Sequence, residues 1–316
     1  MAVKGVGFGT LPDFPSAAIE VDPQGFAVVE FSNPDYGQGL VTTSLQIVAE
    51  RLGLESKALH VINADSGAVP DTGSSSASRS TYTSGNALLE ACEEALSVLR
   101  LQASEELGEK PSDLLYESGS FRYGTKKRDI FQLARSLRSK GSSSRFVGTF
   151  EVPRHMSTLE GTLEIPHLIY NFAALVGEVE VDSLTGKVAA KRLMFYPDIG
   201  KVLNPVLASA QCDGGLMQGV GYALTEEHVF SNGIPRTTNF TTYLVPCPTD
   251  APDEIYTEFV PSTLDSGPFG AKGVGEIPII PVASCLSDAV SEAVGVRMRQ
   301  IPLKPEVVLD ALAHSP

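Results

Sequence analysis

The chain has 316 residues, 42% of them hydrophobic, which is enough for two ordinary domains that each bury a core. Its formal net charge of −14 at pH 7 disfavours nucleic acid and acidic membranes as partners, because a negative surface repels both. The sequence has no apolar run long enough to cross a membrane, so we expect a cytoplasmic protein.

The cysteines and histidines do not form metal-binding motifs. Cys92, Cys212, Cys247 and Cys285 are far apart and contain no CxxC pair. The histidines show neither HxxxH nor HxH spacing. We therefore expect neither zinc nor an iron–sulfur cluster held by this chain alone, and we interpret the thiols as small buried hydrophobic groups.

The first predicted elements are a β-hairpin and a helix separated by the stretch NPDYGQGL. Alternating apolar residues in IEVDPQGFAVVEF predict the hairpin, and VTTSLQIVAERLG has helical spacing. Gln38 lies between Gly37 and Gly39, and Thr42 falls in the first helical turn. This arrangement suits a seat for an anion or a polar heterocycle, and it equally suits a capped helix after a tight turn.

A hydroxyl-rich loop, PDTGSSSASRSTYTSGNA, leads into a long helix predicted over residues 86–103. Such a loop is able to bind phosphates with Arg79 as the charge partner, although polar loops with no ligand have the same composition. The polar stretch from about residue 104 to 147 is predicted to be a linker or a docking surface.

The hairpin and helix occur a second time. VEVDSLTGKVAAKRLMFYPDIGKVLNP repeats the order of the first hairpin, with Glu180 and Asp182 in the places of Glu20 and Asp22. A helical stretch follows this copy as well. The repeat predicts an α+β fold built from two related halves of mixed hairpins and helices, residues 1–147 and 148–316.

The second helical stretch, QCDGGLMQGVGYALTEE, contains Gln211 and Gln218 on one face. Each of its glycines weakens a helix by about 1 kcal/mol relative to alanine. That loss is easier to understand if another group approaches the helix closely.

The stretch GPFGAKGVGEIPIIP places one carboxylate, Glu276, between a glycine loop and a proline-rich run that leads into a helix ending at Gly295. Glycines let a backbone approach a ligand, and the prolines restrict the chain after the acid. Glu276 is therefore a candidate general base. The alternative is an acid that caps the following helix.

Together these motifs resemble the molybdenum-binding subunit of the xanthine dehydrogenase and aldehyde oxidase family. The matching blocks stand in the family's order: GQG with its helix, PDTGSSSAS, EVDSLTGKV, PDIGKVLNP, QCDGGLMQGVGYALTEE, GAKGVGE and IPLKPEVVLDAL. The resemblance covers nearly the whole chain. GAKGVGE together with the glutamine-containing blocks is specific, whereas GQG alone is not.

The resemblance implies a molybdopterin cofactor, often in its cytosine dinucleotide form in bacteria, with molybdenum held by the pterin and not by protein ligands. In that chemistry Glu276 is the base that takes a proton from a hydroxyl on the metal, and water supplies the oxygen of the product. Gln38, Ser78, Ser80 and Gln211 are expected to hold the pterin and its phosphates. The other residues expected at the cofactor are Gly37, Gly39, Thr42, Ser76, Ala77, Lys272, Gly273, Val274 and Gly275.

The chain departs from the family in length, because the family's molybdenum subunit is usually much longer and its front half is absent here. The chain resembles the smaller piece of a split molybdenum subunit, as in bacterial nicotinate dehydrogenase. The expected partners are a larger molybdopterin subunit, a [2Fe–2S] subunit and an FAD subunit. The expected substrate is a small molecule, either an N-heterocycle or an aldehyde.

Three other functions fit the sequence. A family member could carry out different chemistry, such as carbon monoxide oxidation or aromatic-CoA reduction. A non-catalytic accessory subunit could close a partner's pocket, although it would have no need of a base at position 276. An unrelated nucleotide-binding domain could use the hydroxyl-rich loop, and it would bind nucleotide as an isolated chain.

Overall fold

The computed structural model of the protein describes residues 1–7, 13–153, 167 and 169–314. The strands in these residues are β1 (Ala2–Gly5), β2 (Ser16–Asp22), β3 (Phe26–Phe31), β4 (Leu59–Asn63), β5 (Leu115–Glu117), β6 (Ser120–Tyr123), β7 (Lys126–Asp129), β8 (Arg145–Thr149), β9 (Tyr170–Val181), β10 (Val188–Asp198), β11 (Phe230–Ser231), β12 (Ile234–Pro235) and β13 (Glu254–Thr257). The helices are α1 (Leu40–Leu52), α2 (Ser80–Leu107), α3 (Ile130–Ser139), α4 (Pro205–Leu224), α5 (Val282–Val294) and α6 (Pro305–Ala313).

The chain folds into two compact units that are not contiguous in sequence. The amino-terminal unit consists of Val6–Ile169 and Thr263–Gly273, and the carboxy-terminal unit consists of Met1–Gly5, Tyr170–Ser262 and Val274–Pro316. This division differs from the predicted halves, 1–147 and 148–316. The difference has two causes. β1 pairs with β9 and so belongs to the carboxy-terminal unit, and residues 263–273 pack on α2 and so belong to the amino-terminal unit.

The amino-terminal unit is built on a sheet with strand order β4-β3-β2-β8. β2 pairs antiparallel with both β3 and β8, and β3 pairs parallel with β4. Helix α2 lies against β8 so tightly that a Cβ on Gly148 would overlap backbone atoms of Ala91. Apolar residues of α1, α2 and the sheet form one core.

The carboxy-terminal unit has a sheet of order β1-β9-β10-β13. β9 pairs antiparallel with β1 and β10, and β10 pairs parallel with β13. Helices α4 and α5 cover this sheet, and Leu193, Phe195, Leu216 and Leu286 are fully buried between them. Helix α5 ends at Gly295, which has a φ of 73° and closes the last turn as predicted.

The two sheets have the same topology, which confirms the hairpin-and-helix repeat. In each, a hairpin is followed by a helix, a strand parallel to the hairpin's second strand and a further helix: β2-β3-α1-β4-α2 and β9-β10-α4-β13-α5. An antiparallel strand pairs with the first hairpin strand in both units, but β8 supplies it in one and β1 in the other. The α+β class predicted from the sequence is confirmed.

The repeated aspartates stabilise equivalent turns. Asp22 accepts a hydrogen bond from the Gln24 amide at 2.8 Å, and Asp182 accepts one from the Leu184 amide at 2.8 Å. The hydrogen bond from the Leu184 amide, followed by those from the hydroxyl and the amide of Thr185, lowers the pKa of Asp182. The repeat of EVD therefore has a structural origin in the hairpin turns.

The stretch predicted as a linker or a docking surface is part of the amino-terminal core, so it is not a linker. Its β5-β6-β7 sheet and α3 bury Phe121, Ile130 and Leu133 completely. Asp129 and Gln132 form a reciprocal capping box at the start of α3. The polar composition of this stretch reflects its outer surface, while a few well-spaced apolar residues carry its packing.

Within the part of the chain that the structure describes, we found no helix whose length and apolar character would let it cross a membrane.

Candidate active site

The turn before α1 is organised by a carboxylate that the sequence analysis did not single out. Asp35 accepts hydrogen bonds from the amides of Gly37 at 3.0 Å, Gly39 at 3.3 Å and Val41 at 2.9 Å. These amides are therefore already bonded within the turn. The structure supports the capped-helix interpretation of this stretch and not an open anion seat made of amides.

Gln38 has both ends of its side chain bonded to its own loop. Its Oε1 accepts from the Tyr36 amide at 2.7 Å, and its Nε2 donates to the Pro34 carbonyl at 3.0 Å. The side chain is half-buried, and Thr42 is exposed in the first turn of α1. Gln38 consequently shapes the loop, while its amide, with two N–H donors and two acceptor lone pairs, is not used up by these two bonds.

The turn before α1, residues 33–39, and the hydroxyl-rich loop lie side by side in the amino-terminal unit. The Asn33 amide donates to the Gly73 carbonyl at 2.7 Å, and the Tyr36 hydroxyl donates to the Ser75 carbonyl at 3.1 Å. Ser75 returns a bond to the Pro34 carbonyl at 3.0 Å. Two stretches that are separate in sequence thus form one polar surface.

The hydroxyl-rich loop ends in two successive residues with left-handed backbones. Ala77 has φ 52° and Ser78 has φ 54°, a conformation that non-glycine residues adopt at an energetic cost. The Gly7 amide donates to the Ala77 carbonyl at 2.9 Å and helps to hold this turn. α2 then begins at Ser80, so the strained turn directs the loop into the helix.

Arg79 stabilises the loop from inside. Its side chain is completely buried, its guanidinium binds the Asp13 carboxylate through two nitrogens, and it donates to the carbonyls of Thr72 and Ser74 at 3.2 and 2.8 Å. Of the two interpretations of this loop, the one that makes Arg79 the charge partner of a phosphate does not fit this position. A buried guanidinium that is already bonded to a carboxylate has no exposed donor to offer to a phosphate.

The loop formed by residues 263–273 is held against α2. The Asn86 amide donates to the Ser266 carbonyl at 2.9 Å, and the Tyr82 hydroxyl bonds to the Ser266 hydroxyl at 3.2 Å. At the end of the loop, a Cβ on Gly273 would overlap the Ser78 carbonyl oxygen. The first part of GAKGVGE, with half-buried Lys272, therefore lies directly on the strained turn of the hydroxyl-rich loop.

The second part of the motif, Val274 to Glu276, belongs to the carboxy-terminal unit. α5 begins at Val282, where the preceding Pro281 makes no side-chain capping bond. Glu276 therefore precedes the helix by several residues. Its Oε2 lies 3.1 Å from the Lys4 ammonium, with 46% of the Glu276 side chain exposed.

Gln211 lies in the first half of α4, near the same segment. Its Nε2 donates to the Gly275 carbonyl at 3.4 Å, the long end of the hydrogen-bond range. The next acid along the helix, Asp213, is half-buried, and burial raises its pKa. Asp213 was not among the predicted site residues, and on a helix a residue two positions from Gln211 does not share its face.

The glycines of α4 accommodate the chain that follows Glu276. A Cβ on Gly215 would lie 2.8 Å from the Pro278 Cβ, and one on Gly219 would lie 2.5 Å from the Val282 Cβ. The close approach expected from the sequence is therefore made by the start of α5. These contacts determine where Ile277, a fully buried residue next to Glu276, enters the core.

The donors in the amino-terminal unit fit the organic part of a molybdopterin cofactor. Hydroxyl groups of the hydroxyl-rich loop and of the first residue of α2 bond to each other, Ser74 to Ser76 at 2.9 Å and Ser80 to Ser75 at 3.4 Å. A hydroxyl both donates and accepts, so these bonds are easily exchanged for bonds to a phosphate oxygen. Among the residues that the structure describes, no cluster of three or more His, Cys, Asp and Glu side chains could hold a metal ion.

Comparison with known proteins agrees with the motifs. The sequence model of the molybdopterin cofactor-binding domain family matches residues 1–252. The gamma subunit of the 6-hydroxypseudooxynicotine dehydrogenase complex from Paenarthrobacter nicotinovorans is 31% identical over 96% of this chain and 39% of the relative. A probable xanthine dehydrogenase subunit of Bacillus subtilis strain 168 is 29% identical over 98% of this chain and 40% of the relative.

The fold matches as well. The crystal structure of the aldehyde oxidoreductase from Desulfovibrio desulfuricans superposes with a TM-score of 0.81 at 28% identity, over 98% of this chain and 31% of that chain. The chain thus spans about 40% of the length of the curated relatives it matches. The family match extends over more than half of the chain, and the resemblance predicted from the motifs is confirmed. This protein therefore belongs to the molybdopterin cofactor-binding domain family and is related to molybdenum-binding subunits of xanthine dehydrogenases and aldehyde oxidoreductases.

Proposed function

We propose that this chain is the molybdenum-cofactor subunit of a cytoplasmic, multi-subunit hydroxylase or dehydrogenase. The reaction oxidises an N-heterocycle or an aldehyde, with water as the source of oxygen. The observation that carries the proposal is the position of Glu276, a half-exposed carboxylate at the exit of a glycine loop and several residues before α5. A carboxylate in this position, in a chain of this family, suits a general base.

The roles of the chain and of the cofactor are separate. When bound, the cofactor supplies the two-electron oxidation and the site at which water becomes a nucleophile. Glu276 accepts the proton of that nucleophile at a carboxylate oxygen. Ile277, buried beside it, and the glycines of α4 keep the carboxylate's backbone in place.

We assign cofactor binding to the loops of the amino-terminal unit and to the residues around Glu276. Gln38, Ser76, Ala77, Ser78 and Ser80 belong to the two loops of the amino-terminal unit that are joined by hydrogen bonds, or to the start of the helix that follows. The other residues proposed to contact the pterin or its phosphates are Gly37, Gly39, Thr42, Gln211, Lys272, Gly273, Val274 and Gly275. The hydroxyl-rich loop supports the cytosine dinucleotide form of the cofactor, because the additional phosphate needs donors of this kind.

Partner chains are part of the proposal because the chain spans about 40% of its relatives. One relative is itself named as a subunit of a complex. We infer a larger molybdopterin subunit that completes the pocket, together with [2Fe–2S] and FAD subunits that remove the electrons. The substrate class follows the names of the relatives, which include a xanthine dehydrogenase and an aldehyde oxidoreductase.

Affinity purification of the chain from its native host tests the assembly. The retained proteins are identified by intact-mass analysis, and molybdenum, iron and selenium are measured in the same sample. Molybdenum together with a larger chain supports the proposal, and iron shows that the electron route is attached. Recovery of the chain alone and without molybdenum, under conditions that preserve complexes, would contradict it.

The substitution Glu276→Gln tests the base. An amide of the same shape cannot accept the proton, so turnover should fall by roughly 100-fold or more while assembly and molybdenum content stay unchanged. Glu292→Gln, the same change on the exposed side of α5, is the control and should retain turnover. Full turnover of Glu276→Gln with molybdenum bound would favour the accessory-subunit alternative.

A further inference from the structure

A lysine far away in sequence lies against the proposed base. The Nζ atom of Lys4, on β1, is 3.1 Å from Oε2 of Glu276. The Lys4 side chain is only 20% exposed, although lysine is usually among the most exposed residues. No motif in the sequence predicts this pair, because it arises from the pairing of β1 with β9.

Lys4 is held on a rigid element. β1 pairs antiparallel with β9, and Lys4 lies opposite Asn171 in that register. The ammonium also donates a hydrogen bond to the Gly5 carbonyl. The charged end of the side chain is therefore fixed both by its strand and by a second acceptor, so it is not a freely moving surface cation.

The backbone beside Glu276 is held in place, because Ile277 is fully buried and Pro278 packs against Gly215 of α4. A glutamate has several accessible side-chain rotamers, and the backbone before it does not choose among them. A contact with the carboxylate itself selects among these rotamers, and the Lys4 ammonium supplies one.

We propose that Lys4 is a positioning residue for Glu276: its ammonium holds the carboxylate in the rotamer that faces the reacting proton. This inference rests on the proposed function, since it assigns Lys4 a role in the same site. It concerns only atoms of this chain, the Lys4 ammonium and the Glu276 carboxylate.

The expected size of the effect follows from the geometry that the ammonium imposes on the carboxylate. Misplacing a catalytic group by about 1 Å costs roughly 100-fold. Loss of Lys4 should therefore slow the reaction.

The first test is steady-state kinetics of the purified complex. Lys4→Met should lower kcat by about tenfold to 100-fold with little change in KM, since Lys4 positions the base and does not bind substrate. Lys4→Arg keeps the charge and should recover most of kcat. Lys187→Met removes a charge from an exposed hairpin turn of the same unit and should have no effect. Equal kcat for Lys4→Met and wild type would overturn the proposal.

The second test does not depend on turnover. A water-soluble carbodiimide labels carboxyl groups, and peptide mass spectrometry measures the rate at Glu276 against that at exposed Glu292. The rate at Glu276 should rise several-fold in Lys4→Met and stay near the wild-type rate in Lys4→Arg. In the wild-type complex, high salt should raise it as well, because salt weakens a half-exposed ion pair. Rates that are insensitive to both charge removal and salt would show that the pair does not form.

A double-mutant cycle separates this inference from the proposed function. With Glu276→Gln as background, Lys4→Met should cause no further loss of turnover. Full turnover of Glu276→Gln would refute the base and with it the role of Lys4. If Glu276→Gln abolishes turnover while Lys4→Met leaves kcat unchanged, the base stands and only the positioning role fails.

Discussion

The backbone of Gly273 lies so close to the carbonyl of Ser78 that a side chain at position 273 would overlap the carbonyl oxygen. Ser78 is one of the two left-handed residues in the hydroxyl-rich loop. The glycine at the start of GVGE is thus required by packing within the amino-terminal unit. This packing requirement for a glycine at position 273 does not depend on any contact with a ligand.

Gly273→Ala should destabilise the amino-terminal unit by about 1–3 kcal/mol, because the backbone of one loop has to move away. The free energy of unfolding in urea measures the change. Gly67→Ala is the control: its added Cβ would meet only the Asp65 carboxylate, at 3.4 Å, and the position is exposed. If Gly273→Ala lowered the free energy of unfolding no more than Gly67→Ala does, the loop of residues 263–273 would not contact the hydroxyl-rich loop in solution.

Two glycines of α4 should respond in opposite directions to the same change. Gly219→Ala places a Cβ 2.5 Å from the Val282 Cβ and should cost about 1–3 kcal/mol by overpacking. Gly214 is exposed with no atom within 4 Å of its added Cβ, so Gly214→Ala should stabilise the helix by up to about 1 kcal/mol. Thermal unfolding of both variants shows whether each substitution raises or lowers the melting temperature. Destabilisation by both would contradict the packing of α4 against α5.

Arg79→Met should be strongly destabilising, by about 3–5 kcal/mol, because it leaves the Asp13 carboxylate without its buried partner. Arg79→Lys should recover little, since an ammonium cannot reproduce the two-nitrogen contact. Arg122→Met breaks an exposed pair with Glu117 and should cost at most about 1 kcal/mol. Urea unfolding distinguishes these cases. If Arg79→Met were as stable as Arg122→Met, the guanidinium would not be the interior support of the loop.

The thiols should differ in their reaction with iodoacetamide. Burial raises the pKa of Cys212 to about 12 and raises that of Cys92 as well, whereas Cys247 is exposed. The thiolate is the reactive form, so at pH 8 Cys247 should be alkylated while Cys92 and Cys212 stay protonated and unmodified. Peptide mass spectrometry measures each site.

Raising the pH to 9 should leave Cys212 protected, because that pH is still well below the raised pKa of Cys212. In urea, all the cysteines should react at similar rates. Rapid alkylation of Cys212 under native conditions would mean that α4 is not packed as described.

The order of elements and the repeated hairpins were predictable because they depend on local patterns. Alternation of apolar residues indicates strands, and EVD with PDYG or PDIG indicates turns whose aspartates bond to amides two residues ahead. Gly295 predicted the end of α5 for the same local reason. The resemblance of the motifs to a known family then extended this local information to the cofactor.

The roles of individual polar residues were less predictable, as Arg79 and Gln38 show. An arginine in a serine-rich loop has the same sequence signal whether it faces a ligand or the interior. Only the fold places Asp13 against it and makes it a buried support. The same holds for the bonds from Asp35 to the amides of Gly39 and Val41, which depend on the exact path of the turn.

The sequence by itself determined the fold class, the repeat and the candidate base, because each is encoded by residues that are close together in the chain. The tertiary structure alone decided the composition of the two units and the pairing of Lys4 with Glu276. Both depend on strand pairing between residues far apart in the chain, β1 with β9. Such pairing is selected by the free energy of the whole packed unit, and no local pattern specifies it.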